Sequence, residues 1–532
     1  MEKSLYQNEN TLGKLRLENR EEEFHASYEK ALDEARKKLG KTYPMIIGGR
    51  EVASSEGTFA DASPIDTDII VGHFQKGTRE DAKNAIQAAK QAFGSWSDTP
   101  YQKRVSLYRR AAELMSSSKF LLAAEMTFEN GKNRFEAIAD VDEGIDFLRY
   151  YAEELERNKG FEVPLGRVTP NEHARSVLKP YGVWSVIAPF NFPLAIATGM
   201  SAGASITGNT IVLKPASDTP LLSYELCKIL EGAGVPKGVV NYVTGSGPTV
   251  GAELTENPDV SGVVFTGSWD VGSRSFLEFQ NEQPRPFIAE MGGKNATIVT
   301  PSADLDKAAE GIMRAAFGFD GQKCSACSRV YVHDSVKDKF ISKLLERTTK
   351  LKVGDPTERD TFLGPVINKN ALNSYVEYIE EAKRAAGTKI LTGGRALTDG
   401  KFSKGYYVEP TIYLVDETHK GDNRLLKREL FVPILGIAPY HELKDAIREF
   451  NSVSYGLTGG IFTNDKAEVD EFFKSAEGGV LYANRVSGST TGAMVGVQSF
   501  VGWKRSGSSG KGAGGPYYLQ QFMREQTQTF YD

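Results

Sequence analysis

The chain is predicted to be an α/β protein: a doubly wound parallel-sheet domain, a second α/β domain after it, and a small appended β flap. Three observations carry this. From Trp184 onward, short runs rich in Val and Ile, without clean polar alternation, are separated by helical stretches, which is how parallel strands covered on both faces read. Two Gly-marked turns, VTGSGPTVG (243–251) and VVFTGSWDVG (263–272), close strand-to-helix units within that series. Residues 161–181 and the terminal QTQTFYD are strand-like segments that lie outside it. With 532 residues and 40% hydrophobic composition, two or three domains are expected.

In chain order, residues 1–44 carry apolar positions at helical spacing among charges (Phe24, Tyr28, Leu32, Ala35, Leu39), an amphipathic arm packed on the body. Short β-like runs follow from Met45 to Val71. Helices are then expected over 78–93, 100–118, 120–130 and 135–156 as a covering layer. After the 161–181 hairpin, strands at 184–188, 210–214, 239–243, 263–266 and 287–289 alternate with helices at 194–207, 220–232, 249–255 and 271–279. A second series follows: strand 296–300, helix 305–317, a loop holding Cys324, strand 329–332, helix 334–351, and further units to about Asn484. The resulting division is 1–44 arm; 45–160 with 182–290 first domain; 291–496 second domain; 161–181 with 497–532 flap and tail.

Composition excludes several classes. Lys plus Arg number 64 against 69 Asp plus Glu, a net charge of −5, so there is no electrostatic footprint for nucleic acid. Three cysteines cannot build a disulfide framework, and Cys324/Cys327 has no second CxxC or His-rich partner to complete a zinc site, so no metal is expected. A reducing, cytoplasmic home is the simplest reading. The first 45 residues lack an apolar leader core, and the uncharged stretch Gly182–Leu213 is broken by Pro and Gly, unlike a membrane span.

Several residues stand where chemistry is done. Cys324 lies in a Gly-bounded loop, a place to expose a thiolate whose pKa nearby N–H donors or a cation would depress; small-residue packing is the bland alternative. Lys214 ends a strand where ligands of open α/β sheets bind, either facing a ribose or merely solvated. Glu290 ends an apolar strand before Gly-Gly, a setting that raises a carboxyl toward general-base range, unless it is a plain surface Glu. Asn191, between two prolines, either caps a turn or donates to an oxyanion. The two Gly turns offer backbone N–H groups to a pyrophosphate, though neither is a clean GxGxxG.

The ordered set PFNFP, LKPASDTP, FTGS followed by Gly272, EMGGKN, GQKC and REL-FVP resembles the aldehyde dehydrogenase superfamily, over roughly Met45 to Asp532. Within it, the helical arm, GQKCSACSRVYV and LYANR followed by TGAMVGVQSF are most similar to the 1-pyrroline-5-carboxylate (glutamate-semialdehyde) dehydrogenases. The resemblance implies a Rossmann-like cofactor domain, a catalytic domain and an oligomerisation flap. It also implies oxidation of L-glutamate 5-semialdehyde to L-glutamate with NAD or NADP, in a homodimer or higher homo-oligomer. Residue by residue, it makes Cys324 the nucleophile, Glu290 the base that activates the hydrolytic water, and Asn191 with the Cys324 N–H the oxyanion hole. Lys214 and Glu429 would hold the riboses, Phe431 the nicotinamide side, and Gly267, Ser268 and Gly272 the pyrophosphate turn. Ser325, Gly492 and Ala493 would grip the substrate carboxylate, with Phe500 walling the aliphatic chain.

Three positions depart from the family pattern. QSFVG (498–502) stands where QPFGG is frequent, Ser217 where NAD-preferring relatives often carry Glu, and Val432 where Gly is common. Ser217 leaves room for a 2′-phosphate, so NAD and NADP both stay open, and QSFVG leaves open a broader semialdehyde dehydrogenase. A binding relative that kept the fold without the chemistry is a third reading, opposed by the joint presence of Cys324, Glu290 and Asn191.

Overall fold

The computed structural model describes residues 6–280, 283–486 and 494–532. Two seven-stranded sheets organise it. In the first, strands Phe287–Glu290, Val260–Thr266, Val183–Ile187, Thr210–Lys214 and Val240–Tyr242 run parallel in that order, extended by the antiparallel pair Met45–Ile47 and Arg50–Val52. In the second, Thr411–Val415, Ile434–Tyr440, Cys327–His333, Asn295–Val299, Thr458–Phe462 and Val480–Ala483 are parallel, and only the edge strand Thr388–Thr392 is antiparallel. Central strands such as Thr210–Lys214 and Asn295–Val299 are buried along their whole length, which is why they read as unbroken apolar runs.

Local signals set the helix ends. Thr78 and Asp81 form a reciprocal capping box at the helix Arg79–Ser97. Asn133 Oδ1 accepts from the N–H groups of Phe135 and Glu136 to open the long helix Arg134–Arg157, and Asp304 does the same for Leu305–Phe317. Two of the expected elements are more complex than their patterns. The arm is two helices, Thr11–Leu17 and Glu21–Arg36, followed by a strand, Lys41–Tyr43. The expected helix 249–255 opens with a π turn, Gly247–Gly251, before Ala252–Glu256.

The hairpin and the tail, each a strand-like segment outside the two domains in the sequence, pair with each other within the chain. Strand Glu172–Pro180 pairs antiparallel with Met523–Tyr531 of the same chain, from Met523 opposite Pro180 to Tyr531 opposite Glu172, with Glu162–Pro164 on the other side. The tail is steered there by its anchor: Phe522 and Tyr518 are buried, the Phe522 ring packs tilted against Trp184 at 4.7 Å between ring centroids, and Asn209 Nδ2 donates to Phe522 O at 2.8 Å. The Gly- and Ser-rich stretch before it is also pinned. Ser506 Oγ donates to Gly292 O, and Ser508 Oγ donates to Phe287 O, both at 2.7 Å, so residues 506–508 run beside the strand that ends in Glu290. Among the described residues, no helix is long and apolar enough to cross a membrane.

Candidate active site

Met291–Lys294 joins the strand Phe287–Glu290 of the first sheet to Asn295–Val299 of the second. Thr266 and Glu290 finish adjacent strands of the first sheet in register with each other, and Lys214 finishes the strand on the far side of Val183–Ile187. Asn295 and Cys327 begin adjacent strands of the second. Cys324 sits just before that start, so its loop faces the carboxyl ends of the first sheet, where open α/β sheets bind ligands.

Glycines allow this approach. A Cβ on Gly293 would lie 2.3 Å from Cys324 O, and one on Gly292 2.3 Å from Glu429 Oε2. The latter vacancy lets the Glu429 carboxylate accept the Gly293 N–H at 2.8 Å. Asn295 Nδ2 then ties down the cysteine loop, donating to Cys324 O at 2.7 Å and Ala326 O at 2.9 Å. Before the cysteine, Phe319, Asp320 and Gly321 all adopt positive φ. A side chain at Gly321 would meet Val432 O at 2.7 Å, so the REL-FVP segment presses directly on the GQKC turn.

One apolar cavity gathers Cys324, Ser325, Glu290 and Phe500, walled further by Phe192 and Tyr518. Asn191 is buried nearby, and its Nδ2 donates to Gln322 O at 3.0 Å, linking the PFNFP segment to the cysteine loop. An amide carries two N–H donors, so one remains for an oxyanion. Cys327 is buried in the second-sheet core beside Thr297 Oγ1, away from this cavity.

The expectation of an exposed, acidified thiolate is corrected. Cys324 is only part exposed, and burial, together with the Glu429 and Glu290 carboxylates, pushes its thiol up. The N–H groups of Ser325 and of Cys324 itself pull the other way without prevailing. Glu290 is raised well above the usual carboxylate range by burial, opposed only by the Gly502 N–H, and its Oε2 has no hydrogen-bond partner among the described residues. Glu290 lines the same cavity as Cys324.

Of the residues expected at the cofactor, Lys214, Ser217, Gly267, Ser268 and Gly272 lie at or after strand ends of the first sheet, and Glu429 and Phe431 precede the strand Ile434–Tyr440 of the second. Lys214 is 6% exposed, so it is not a solvated surface lysine; its Nζ donates to Pro215 O at 3.0 Å, and burial lowers its pKa to about 8. Two further N–H donors of that ammonium remain for ligand hydroxyls. Ser217 is exposed in the turn that follows. Ser268 caps the helix Trp269–Phe279, after Gly267, and Gly272 packs against Met291, where a Cβ would lie 2.7 Å from Sδ. Glu429 is raised to about 7 by burial, with the Gly293 N–H and Lys294 working against the shift. Phe431 holds a positive φ of 59° and meets Phe190 edge-on at 5.8 Å. A buried ammonium with donors to spare, a capped helix start behind a Gly turn and the buried Glu429 carboxyl are groups whose chemistry fits a dinucleotide. Gly492 and Ala493 lie outside the described residues.

The sequence reading missed Glu136, Glu143 and Lys323. Lys323 Nζ pairs with Glu136 Oε2 at 2.6 Å, and Glu143 lines the cavity with no hydrogen-bond or ion-pair partner among the described residues, its carboxyl driven well up by burial. The available signal was four acids, Asp140, Asp142, Glu143 and Asp146, crowding an apolar helical pattern that they should have avoided.

The aldehyde dehydrogenase family model matches residues 52–528. The chain is 39% identical over 506 residues to the 1-pyrroline-5-carboxylate dehydrogenase of Geobacillus sp. (strain WCH70), covering 94% of this chain and 95% of the relative. It is 40% identical over 507 residues to 1-pyrroline-5-carboxylate dehydrogenase 1 of Halalkalibacterium halodurans, covering 94% and 95%. Among solved structures, the 1-pyrroline-5-carboxylate dehydrogenase from Thermus with bound NAD superposes over 100% of both chains with a TM-score of 0.91 and 35% identity. With the motifs, the two-sheet architecture and the cysteine-glutamate cavity now in one place, the chain belongs to the aldehyde dehydrogenase family.

Proposed function

We propose that this protein oxidises L-glutamate 5-semialdehyde, the open form of 1-pyrroline-5-carboxylate, to L-glutamate with NAD or NADP, as a step of proline catabolism. The observation that carries the reading is the convergence of Cys324, Glu290 and Ser325 on one apolar cavity with Asn191 beside it. Similarity to 1-pyrroline-5-carboxylate dehydrogenases along nearly the whole chain supports the choice of aldehyde.

Cys324 Sγ, once deprotonated, adds to the aldehyde carbon, and the new oxyanion is received by Asn191 Nδ2 and the Cys324 N–H. A nicotinamide bound beside this adduct would supply the acceptor for the hydride it releases. A thioester on Cys324 remains. Glu290 takes a proton from the water that attacks it, releasing the carboxylic acid and restoring the thiol. Lys214, Ser217, Glu429, Phe431 and the turn at Gly267, Ser268 and Gly272 would hold the dinucleotide. Ser325, Gly492 and Ala493 would anchor the substrate carboxylate, Phe500 would pack on its methylenes, and Glu143 would face its ammonium. Exposed Ser217 presents no charge to a 2′-phosphate, so both cofactors are accepted. No cysteine is in a disulfide, in keeping with the cytoplasm, and the protein works as a homodimer or larger homo-oligomer.

The test is initial rates with pyrroline-5-carboxylate, succinic semialdehyde and a simple alkyl aldehyde, each with NAD⁺ and NADP⁺. Pyrroline-5-carboxylate should give the highest kcat/KM. Equal efficiency on the alkyl aldehyde would replace this reading with the broader dehydrogenase that the QSFVG loop leaves open.

A further inference from the structure

Behind the reaction centre lies an ion pair that the chemistry above does not use. Lys132 and Asp140 are both 0% exposed, with Nζ and Oδ2 2.6 Å apart. Burying two charges costs desolvation, and apolar side chains of similar volume commonly hold a fold as well, so such a pair is a poor device for stability alone. Its contacts lead instead toward the site.

Asp140 Oδ1 accepts the N–H of Ala195 at 2.7 Å. Ala195 opens the helix Ala195–Ile206, whose own N-cap position, Leu194, supplies no side-chain acceptor. Asp140 therefore caps this helix from another one, and its charge suits the positive end of the helix dipole. The PFNFP segment with Asn191 and Phe192 leads directly into that helix start. Lys132 acts on the same segment from the other side: its ammonium lies 3.8 Å from the centroid of the Phe192 ring. It also lies 4.9 Å from the Phe319 ring, in the positive-φ turn that precedes Cys324. The neighbouring Asn130 completes the brace, its Oδ1 accepting the Lys132 N–H and its Nδ2 donating to Phe190 O.

We propose that the Lys132–Asp140 pair is a positioning device, fixing the segment of Asn191 and the turn of Cys324 in register so that the oxyanion donors and the nucleophile meet one carbonyl group. The inference rests on the aldehyde dehydrogenase reading. It assigns neither residue a contact with substrate or cofactor.

The experiment compares the parent with Lys132→Met/Asp140→Leu, which removes both charges together, by thermal unfolding, NAD⁺ binding and the pre-steady-state burst of reduced cofactor with glutamate semialdehyde. A pair that served stability alone would leave the burst of the folded double variant unchanged. The expected result is a folded protein with parental NAD⁺ affinity whose burst is slowed about tenfold to a hundredfold, the scale of a misplaced oxyanion donor. If the double variant does not fold, Asp140→Asn keeps the acceptor for Ala195 and the volume while removing the charge. It should slow the burst about tenfold with KM for the aldehyde unchanged. A parental burst rate in whichever variant folds overturns the proposal. A parent that reduces neither NAD⁺ nor NADP⁺ with any aldehyde overturns the dehydrogenase reading itself, so the two failures are told apart.

Discussion

At the scale of single residues, Cys324 and Glu290 are both held toward their protonated forms by the same apolar cavity, and each carboxylate near the thiol adds to that bias. In the roles proposed for them, both must lose a proton. Turnover should therefore rise with pH and should already be falling away well above the ordinary carboxylate range, because Glu290 protonates there. In Glu290→Gln, hydride transfer survives but deacylation stalls, so a burst of reduced cofactor without steady turnover is expected, with the acyl adduct visible by mass spectrometry. The same steady rate in variant and parent, with no adduct, would remove Glu290 from the base role. Cys324, Glu290 and Asn191 were legible because each stands in a short motif of distinctive residues. The state of the thiol was not, because the carboxylates that raise it come from two other segments and only folding brings them close.

At the scale of elements, the long helix Arg134–Arg157 carries more than its apolar pattern announces. Ile138, Val141, Ile145 and Leu148 pack into the first core, as helical spacing requires. Its acids serve other segments. Asp142 accepts the Thr11 N–H at 2.8 Å, and Asp146 accepts the Glu9 N–H at 2.7 Å, so the helix docks the N-terminal arm on one side while Asp140 caps Ala195 on the other. The sequence showed an amphipathic helix and an amphipathic arm but not their junction, since buried polar contacts between distant segments leave no periodic trace. Asn133 fixes where this helix begins and also donates to Phe362 O at 2.8 Å across to the second-sheet side. Asn133→Ala should cost about 1 kcal/mol from the lost cap alone. The loss reads as a lower apparent Tm at fixed scan rate; an unchanged Tm would show that the cap is replaced by another group.

At the scale of the whole molecule, the flap is a three-stranded sheet outside the two large ones. Strand Met523–Tyr531 closes one side of Glu172–Pro180, yet among the described residues no strand pairs with its own outer edge, and Val163, Val168, Phe530 and Tyr531 are exposed on or beside this three-stranded sheet. An open, partly apolar edge is a template for another chain unless it is covered, and a second copy is the simplest cover. The sequence made both strands visible through their alternation but not their mutual pairing, because the register spans more than 340 residues of intervening chain. Truncation tests the surface cleanly only if it spares the anchor: Tyr518 and Phe522 are buried against Tyr151 and Trp184, so a cut that takes them would damage the first domain. Deleting residues 524–532 removes the outer strand alone. We expect the truncated protein to keep the near-ultraviolet dichroism of a packed core while its mass by light scattering falls below that of the parent oligomer. A parental mass after this deletion would place the contact between copies on another face and leave the flap without a role in assembly.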